Sequence, residues 1–166
     1  MVIFDASTLI LLAKIDMLEL FISSFQGKVL MPESVALEVG RAEYEDSPLI
    51  RKLLENKKIS ILKVKNKKQP DKLMSDFNID KGEAEAISLA IQENIHFIAT
   101  DDRNAIRACK MLKIEFITAI ALLIRAYEKK LIDIDEALAK LQKLKSTGRY
   151  SESIIIDAER HLKGGS

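Results

Sequence analysis

Short apolar runs alternate with longer amphipathic segments along most of this chain, and that alternation limits the fold more than any other feature. The apolar runs have the length of strands and occupy residues 2–4, 28–31, 59–64, 97–100 and 114–118. A repeated order of strand, helix and strand is typical of a parallel sheet with helices on both faces. The sequence therefore predicts an α/β fold, a three-layer α/β/α sandwich around a central parallel sheet of about five strands.

The pattern becomes purely helical after residue 118. Helices are predicted over residues 119–130, 133–144 and 151–162, and residues 164–166 are expected to form a frayed tail. The length of 166 residues suits a single domain. We therefore expect an α/β domain over residues 1–130 and a C-terminal helical extension of the same domain over residues 131–163.

Charge and cysteine content exclude several classes of protein. The 26 basic and 25 acidic residues nearly balance, so any nucleic-acid surface must be a local patch. The single cysteine, Cys109, fits a reduced cytoplasmic protein and excludes an intramolecular disulfide. Neither His96 nor His161 has partners at zinc-finger spacing. The apolar runs are too short to span a membrane, so a cytoplasmic location without a membrane partner is expected.

Acidic side chains follow two of the apolar runs, where the predicted strands end. Asp5 comes directly after the first run, and Asp101 and Asp102 come directly after the fourth. The carboxyl ends of parallel strands meet at one edge of a sheet, which is where ligands bind in such folds. Each of these acids can also cap the following helix. We favour Asp5 as a metal ligand with Ser7 as its hydrogen-bonding support, and we favour Asp101 slightly over Asp102.

Two glutamates in predicted helices are further candidates. Glu38 falls between Val35 and Val39 in helical phase, which places it on the core-facing side of its helix. Glu83 follows Asp80 by three residues, so it either completes a capping box or faces the site.

Carboxylates gathered at one edge repel and raise one another's pKa unless a divalent cation neutralises them. The sequence therefore predicts a hard-metal site. Its ligands are expected to converge closely enough to share one or two ions, and they are Asp5, Glu38, Glu83 and Asp101 or Asp102.

Four segments, taken in order, resemble a PIN domain. They are residues 2–7, 31–39, 82–90 and 98–103, and the resemblance covers residues 1–130. The spacing is most similar to that of VapC-like toxin nucleases, in a prokaryotic branch with a Gly-Glu-Ala-Glu motif and a helical tail. The resemblance implies a Rossmann-like sandwich whose catalytic acids are those named above, with Ser7 as the hydroxyl residue beside the first acid. Many family members place the last acid two residues after the threonine, which favours Asp102.

The resemblance implies an endoribonuclease that uses Mg²⁺ or Mn²⁺ to hydrolyse RNA. It also implies a toxin with an antitoxin protein as its partner, and a homodimer whose interface buries on the order of 1,200–2,000 Å². Cations are needed near the acids to bind phosphate, and the candidates are Arg103, Arg107, Lys110 and the lysine-rich residues 63–72. That last stretch, broken by Pro70, is predicted to be a mobile surface loop.

Two other functions stay open at this point. A PIN-like module without catalytic activity would use the same acids only to cap helices or to bind metal weakly. A phosphatase of the haloacid dehalogenase type would also carry an acid after its first strand. That class places a second acid two residues later, where this chain has Ser7.

Overall fold

Five strands form one parallel sheet in the computed structural model of the chain, which describes residues 1–41 and 47–164. The strands are β1 (Val2–Phe4), β2 (Val29–Pro32), β3 (Ile59–Leu62), β4 (Phe97–Ala99) and β5 (Glu115–Ile117). Their order is β3-β2-β1-β4-β5, and every pairing is parallel. The predicted sheet is confirmed. The chain winds outward in both directions from β1, so the end of β1 lies at the switch point where parallel sheets bind ligands.

Helices cover both faces of this sheet. Within the described residues they are α1 (Ala6–Lys14), α2 (Leu18–Ser24), α3 (Glu33–Arg41), α4 (Ser47–Glu55), α5 (Lys68–Phe77), α6 (Lys81–Gln92), α7 (Arg103–Leu112), α8 (Ala119–Glu128), α9 (Ile134–Ser146) and α10 (Glu152–Leu162). Strand side chains alternate between two cores. Ile3 and Ile98 pack with α5, α6 and α7, whereas Val2 and Phe4 pack with α1 and α8 on the opposite face. The molecule is therefore the three-layer α/β/α sandwich that the sequence predicts.

Helices α9 and α10 join the core on the α1 side of the sheet. Leu141, Leu144 and Leu162 are buried there. The Lys140 ammonium, also buried, donates to the carbonyl oxygen of Ile15 at 2.8 Å and so ties α9 to the end of α1. Among the described residues, the helices lack the combination of length and hydropathy that a transmembrane span requires.

Three local predictions need correction or qualification. The stretch predicted as a loop contains the start of α5 at Lys68, and Pro70 fits the first turn of that helix because an N–H there has no helical acceptor. The amphipathic pattern over residues 9–25 predicts one helical segment, but this segment is divided between α1 and α2, since Asp16 adopts the left-handed conformation with φ of 54°. Residues 165 and 166 of the predicted tail lie outside the described residues.

Candidate metal centre at the carboxyl end of the sheet

Asp5 is held at the end of β1 by three hydrogen-bond donors. Its main-chain N–H donates to the carbonyl oxygen of Ala99 at 3.1 Å, which continues the pairing of β1 with β4. Oδ1 accepts from the Thr8 N–H at 3.0 Å and from the Ser7 hydroxyl at 2.9 Å, and Oδ2 accepts from the Thr100 hydroxyl at 2.5 Å. The side chain thus caps α1 and receives the hydrogen bond expected from Ser7. Its carboxylate has one fixed orientation at the floor of a cleft.

Burial makes the charge of Asp5 unfavourable. The residue is only 1% exposed, and this desolvation raises its pKa to about 6, although the hydrogen bonds from Thr100, Thr8 and Ser7 oppose the shift. A buried carboxylate of this kind is stabilised by a nearby cation.

Glu83 has both of the roles that its sequence position allows. Asp80 caps α6 by accepting the Glu83 N–H at Oδ1 over 2.8 Å, and Glu83 Oε2 accepts the Asp80 N–H at 2.9 Å, which completes a capping box. The Glu83 side chain also faces the cleft. Burial is the main cause that raises its pKa to about 8, and the negative charges of Asp80, Asp102 and Asp5 add to the shift.

Gly82 allows α3 to lie close to α6, which brings Glu38 to the same cleft. A Cβ at Gly82 would lie 3.0 Å from Val35 Cγ2 and 3.7 Å from Glu38 Oε2, so a larger residue would require the Val35 side chain to shift by a few tenths of an ångström. The Glu85 carboxylate fixes the contact by accepting the Ser34 hydroxyl at 2.6 Å and the Ser34 N–H at 3.2 Å. Glu38 is exposed, so the prediction that it faces the core is wrong. It instead lies at the rim of the cleft.

The acids from these elements line one cleft of about 230 Å³. Its walls are formed by Asp5, Ala6, Ser7, Ile10, Glu38, Asp80, Gly82, Glu83, Asp102 and Arg149. Partial burial raises the pKa of Glu38, and the negative charge of Asp80 adds to this. The sequence did not single out Asp80 as a site residue, because its capping role explains it fully. Arg149 gave no sequence signal, since it comes from the turn between α9 and α10.

Asp101 does not line this cleft. Its Oδ2 accepts the Thr8 hydroxyl at 2.7 Å and the Ala119 N–H at 3.0 Å, and its Oδ1 accepts the Tyr150 hydroxyl. Burial raises the pKa of Asp101, although these donors oppose the shift. The carboxylate therefore joins α1, α8 and the turn before α10.

Asp102 does line the cleft. Its Oδ1 accepts the N–H groups of Asn104 at 2.8 Å and Ala105 at 2.9 Å, which caps α7. Its Oδ2 accepts no hydrogen bond from the described part of the chain. The two consecutive acids thus have separate surroundings. Asp102 lines the cleft with Asp5 and Glu83, whereas Asp101 lies beside the cleft, near enough for its negative charge to add to the raised pKa of Asp5.

The donor set fits Mg²⁺ or Mn²⁺ in chemistry, because both ions prefer carboxylate oxygens. Within residues 1–41 and 47–164, no three acidic, histidine or cysteine side chains lie close enough to hold an ion as they stand. The predicted close convergence is therefore not met. One oxygen each of Asp5, Glu83 and Asp102 faces a helix N-terminus instead. What supports the fit is the oxygen-only set and the raised pKa of Asp5 and Glu83.

The cations expected beside the acids lie elsewhere. Arg107 donates to the carbonyl oxygen of Phe77 at 3.3 Å, and the Lys110 ammonium lies 5.7 Å from the centre of the Phe116 ring. Arg103 is exposed and does not line the cleft.

The lysine-rich stretch is also away from the cleft. Lys63 pairs with Glu33 at 2.9 Å, and Lys65 lies 3.7 Å from Glu93. None of the residues 63–72 is among the described residues that line the cleft.

Without added metal, the free energy of unfolding should fall as the pH rises from about 5 to about 8. The folded pKa values of Asp5 and Glu83, about 6 and about 8, lie above their ordinary values of 3.8 and 4.5. The stability gained by protonating them is therefore fully present below the ordinary values and is lost as the pH passes the folded ones. Urea unfolding across this range measures the effect. Glu83→Gln should flatten the curve above pH 6, and an unchanged slope in that variant would contradict the assignment.

Tyr150→Phe should lower the free energy of unfolding by about 1–3 kcal/mol. The phenol accepts the Ile120 N–H at 3.2 Å and donates to Asp101. Its removal leaves a half-buried N–H and a buried carboxylate each short of one partner. Tyr127→Phe is the matched control in a urea experiment, because the Tyr127 hydroxyl has no hydrogen-bond partner among the described residues. Equal small losses in both variants would show that the Tyr150 hydroxyl contributes nothing specific.

A family comparison agrees with this architecture. A family model described as DUF3368, a PIN domain, matches residues 1–162, which include α9 and α10 as well as the sheet. No curated protein and no solved structure matches the chain. The match does not identify the VapC-like branch, which stays a prediction. The chain belongs to the DUF3368 family of PIN domains, and its fold is of the nuclease type.

Proposed function

We propose that this protein is an endoribonuclease that hydrolyses RNA phosphodiester bonds with Mg²⁺ or Mn²⁺ in the acidic cleft. The observation that carries the proposal is that carboxylates from separate elements line one cleft at the switch point of a parallel sheet. Helix capping explains the hydrogen bond that one carboxylate oxygen accepts in each of Asp5, Glu83 and Asp102. It does not explain why all three side chains, with Glu38, face the same space.

Asp5, Glu38, Glu83 and Asp102 would hold the metal. A divalent cation bound there supplies an activated water and neutralises the charge that develops on the scissile phosphate. The chain itself supplies rigidity on one side of the site, since Asp5 is fixed by Ser7, Thr8 and Thr100. It supplies adaptability on the other side, because Glu38 is exposed and can change rotamer.

Proton release should accompany metal binding. A Glu83 carboxyl with a pKa of about 8 carries its proton for much of the time at neutral pH. The carboxyl must lose that proton to bind a cation, so the apparent affinity for metal should rise with pH. Neither histidine lines the cleft among the described residues, and His161 lies 2.9 Å from Glu128 instead. The carboxyl groups of the cleft would therefore have to accept and donate the protons.

A cleavage assay with labelled single-stranded RNA tests the proposal. Purified protein should cleave the RNA with Mg²⁺ or Mn²⁺, stop when EDTA is in excess, and resume when Mn²⁺ exceeds EDTA. Cleavage that continues in EDTA would exclude a metal-dependent site. A lack of cleavage on a panel of unrelated RNA sequences with both metals would favour the alternative of a binding module.

A further inference from the structure

The turn between α9 and α10 brings a basic side chain to the acidic cleft. Arg149 lies in this turn and is the only basic residue among the described residues that line the cleft. Its guanidinium lies within salt-bridge distance of no carboxylate in the described part of the chain. The Arg149 charge acts on Asp101 over a longer distance and opposes the rise in the pKa of that carboxyl. The exposed guanidinium nevertheless makes no ion pair among the described residues that an anionic ligand would have to break.

Tyr150 holds this turn in place. Its hydroxyl accepts the Ile120 N–H at 3.2 Å and donates to Asp101. Asp101 is in turn fixed by Thr8 on α1 and by the N–H of Ala119 at the start of α8. The residue next to Arg149 is thus connected to both helices that border the end of the sheet.

Gly148 lets the chain enter the turn. Its φ of 69° lies in the left-handed region, which glycine adopts at little steric cost. The position of Arg149 is therefore set by its two neighbours in the chain. Gly148 allows the left-handed backbone conformation before it, and Tyr150 after it is fixed by two hydrogen bonds.

We propose that Arg149 binds a phosphate group of the RNA substrate, so that the C-terminal extension contributes directly to the nuclease site. Tyr150 acts as a positioning residue for Arg149. The proposal rests on the proposed function and names how that site attracts its substrate. An array of carboxylates repels a polyanion, whereas a guanidinium binds phosphate through two parallel hydrogen bonds.

Charge-matched variants test the role of Arg149. Arg149→Gln should lower kcat/KM for single-stranded RNA by about 10- to 100-fold. Arg149→Lys should recover part of this loss, because it keeps the charge and loses the paired hydrogen bonds. Arg160→Gln is the control, since Arg160 is exposed on α10 and lies 3.4 Å from Asp157, away from the cleft. It should behave as the unmodified protein does.

Equilibrium binding gives a second measurement that does not depend on turnover. Fluorescence anisotropy with labelled single-stranded RNA is measured at several salt concentrations in the Asp5→Asn background, where the RNA should stay intact. Arg149→Gln should reduce the slope of log K against log salt by about 0.7, the value for one phosphate contact to a single strand. Arg149→Lys should keep the slope, and so should Arg160→Gln.

A double variant separates positioning from general stability. If Tyr150 acts by placing Arg149, then Arg149→Gln with Tyr150→Phe should be no less active than Arg149→Gln alone at a temperature where both are folded. If the double variant instead loses activity by the product of the two single losses, Tyr150 affects the site independently of Arg149, and its positioning role is wrong.

The outcomes distinguish this proposal from the function on which it rests. If the unmodified protein shows no metal-dependent cleavage, both fall together. If it cleaves RNA and Arg149→Gln matches Arg160→Gln in kcat/KM and in salt slope, the nuclease function stands and Arg149 has no role in binding substrate.

Discussion

Asp5→Asn is expected to lower kcat for RNA cleavage by about 1,000-fold or more, equivalent to about 4 kcal/mol of transition-state stabilisation. Asp5 is the most buried acid of the cleft and its carboxylate accepts three hydrogen bonds, so we expect no neighbouring acid to replace it in the proposed metal site. The substitution keeps the size of the side chain and removes its charge. Single-turnover cleavage with saturating Mn²⁺ measures the loss, with Asp157→Asn on α10 as an exposed control.

The fold should tolerate this change. An asparagine oxygen can still accept from Ser7 and Thr8, and its amide can donate to the Thr100 hydroxyl. The buried charge with a pKa of about 6 is gone, so without metal the variant should be more stable at pH 7, by up to about 3 kcal/mol. Activity within tenfold of the unmodified protein would place the chemistry elsewhere. A variant that unfolds would leave loss of structure as the explanation.

Asp102→Asn and Asp101→Asn should separate activity from stability, although the two residues are adjacent. Asp102 lines the cleft, so its substitution should reduce kcat/KM by about 100-fold or more and change stability little. Asp101 accepts hydrogen bonds from Thr8, Ala119 and Tyr150. An asparagine side chain has one acceptor oxygen instead of two, so some of these donors would lose their acceptor. Asp101→Asn should therefore lower the free energy of unfolding by about 2–3 kcal/mol.

Urea unfolding and RNA cleavage on both variants make the comparison. Asp101→Asn is assayed at a temperature where it is fully folded, and it should then keep most of its activity. The reverse pattern, an inactive Asp101→Asn and an active Asp102→Asn, would overturn the assignment of the fourth acid.

The sheet and the place of Asp5 could be predicted from sequence because both depend on local patterns. Five apolar runs of strand length have few other ways to be buried, and an acid directly after a strand lies at the edge of the sheet. The hydrogen bond between Ser7 and Asp5 spans two residues and is equally local.

The tertiary contacts of the site could not be predicted in this way. Asp101 differs from Asp102 mainly through contacts that are distant in sequence: Tyr150 and Thr8 donate to Asp101 over 49 and 93 residues. Arg149 enters the cleft through a turn after the last strand, where no pattern marks it. The start of α5 could not be predicted because the apolar pattern of this helix is weak. Most of its residues are polar, and only Pro70, Leu73 and Phe77 are buried.

Some predictions concern more than one chain and stay predictions here. The homodimer is one of them. The sequence predicts that a helix after Pro32 or the C-terminal tail contributes apolar contacts to it, and the exposed Leu37 on α3 and the exposed Ile154 and Ile156 on α10 offer apolar surface there. The toxin role and the antitoxin partner are others, because no contact within a single chain bears on them.

Anomalous scattering from crystals soaked in Mn²⁺ tests the central claim, that the cleft is a metal site, most directly. The account predicts a manganese peak within coordination distance of the Asp5 and Asp102 carboxylates, with Glu38 or Glu83 turned toward it, and no such peak in Asp5→Asn crystals. Soaked crystals with no peak in the cleft, or with a peak that persists unchanged in Asp5→Asn, would contradict it.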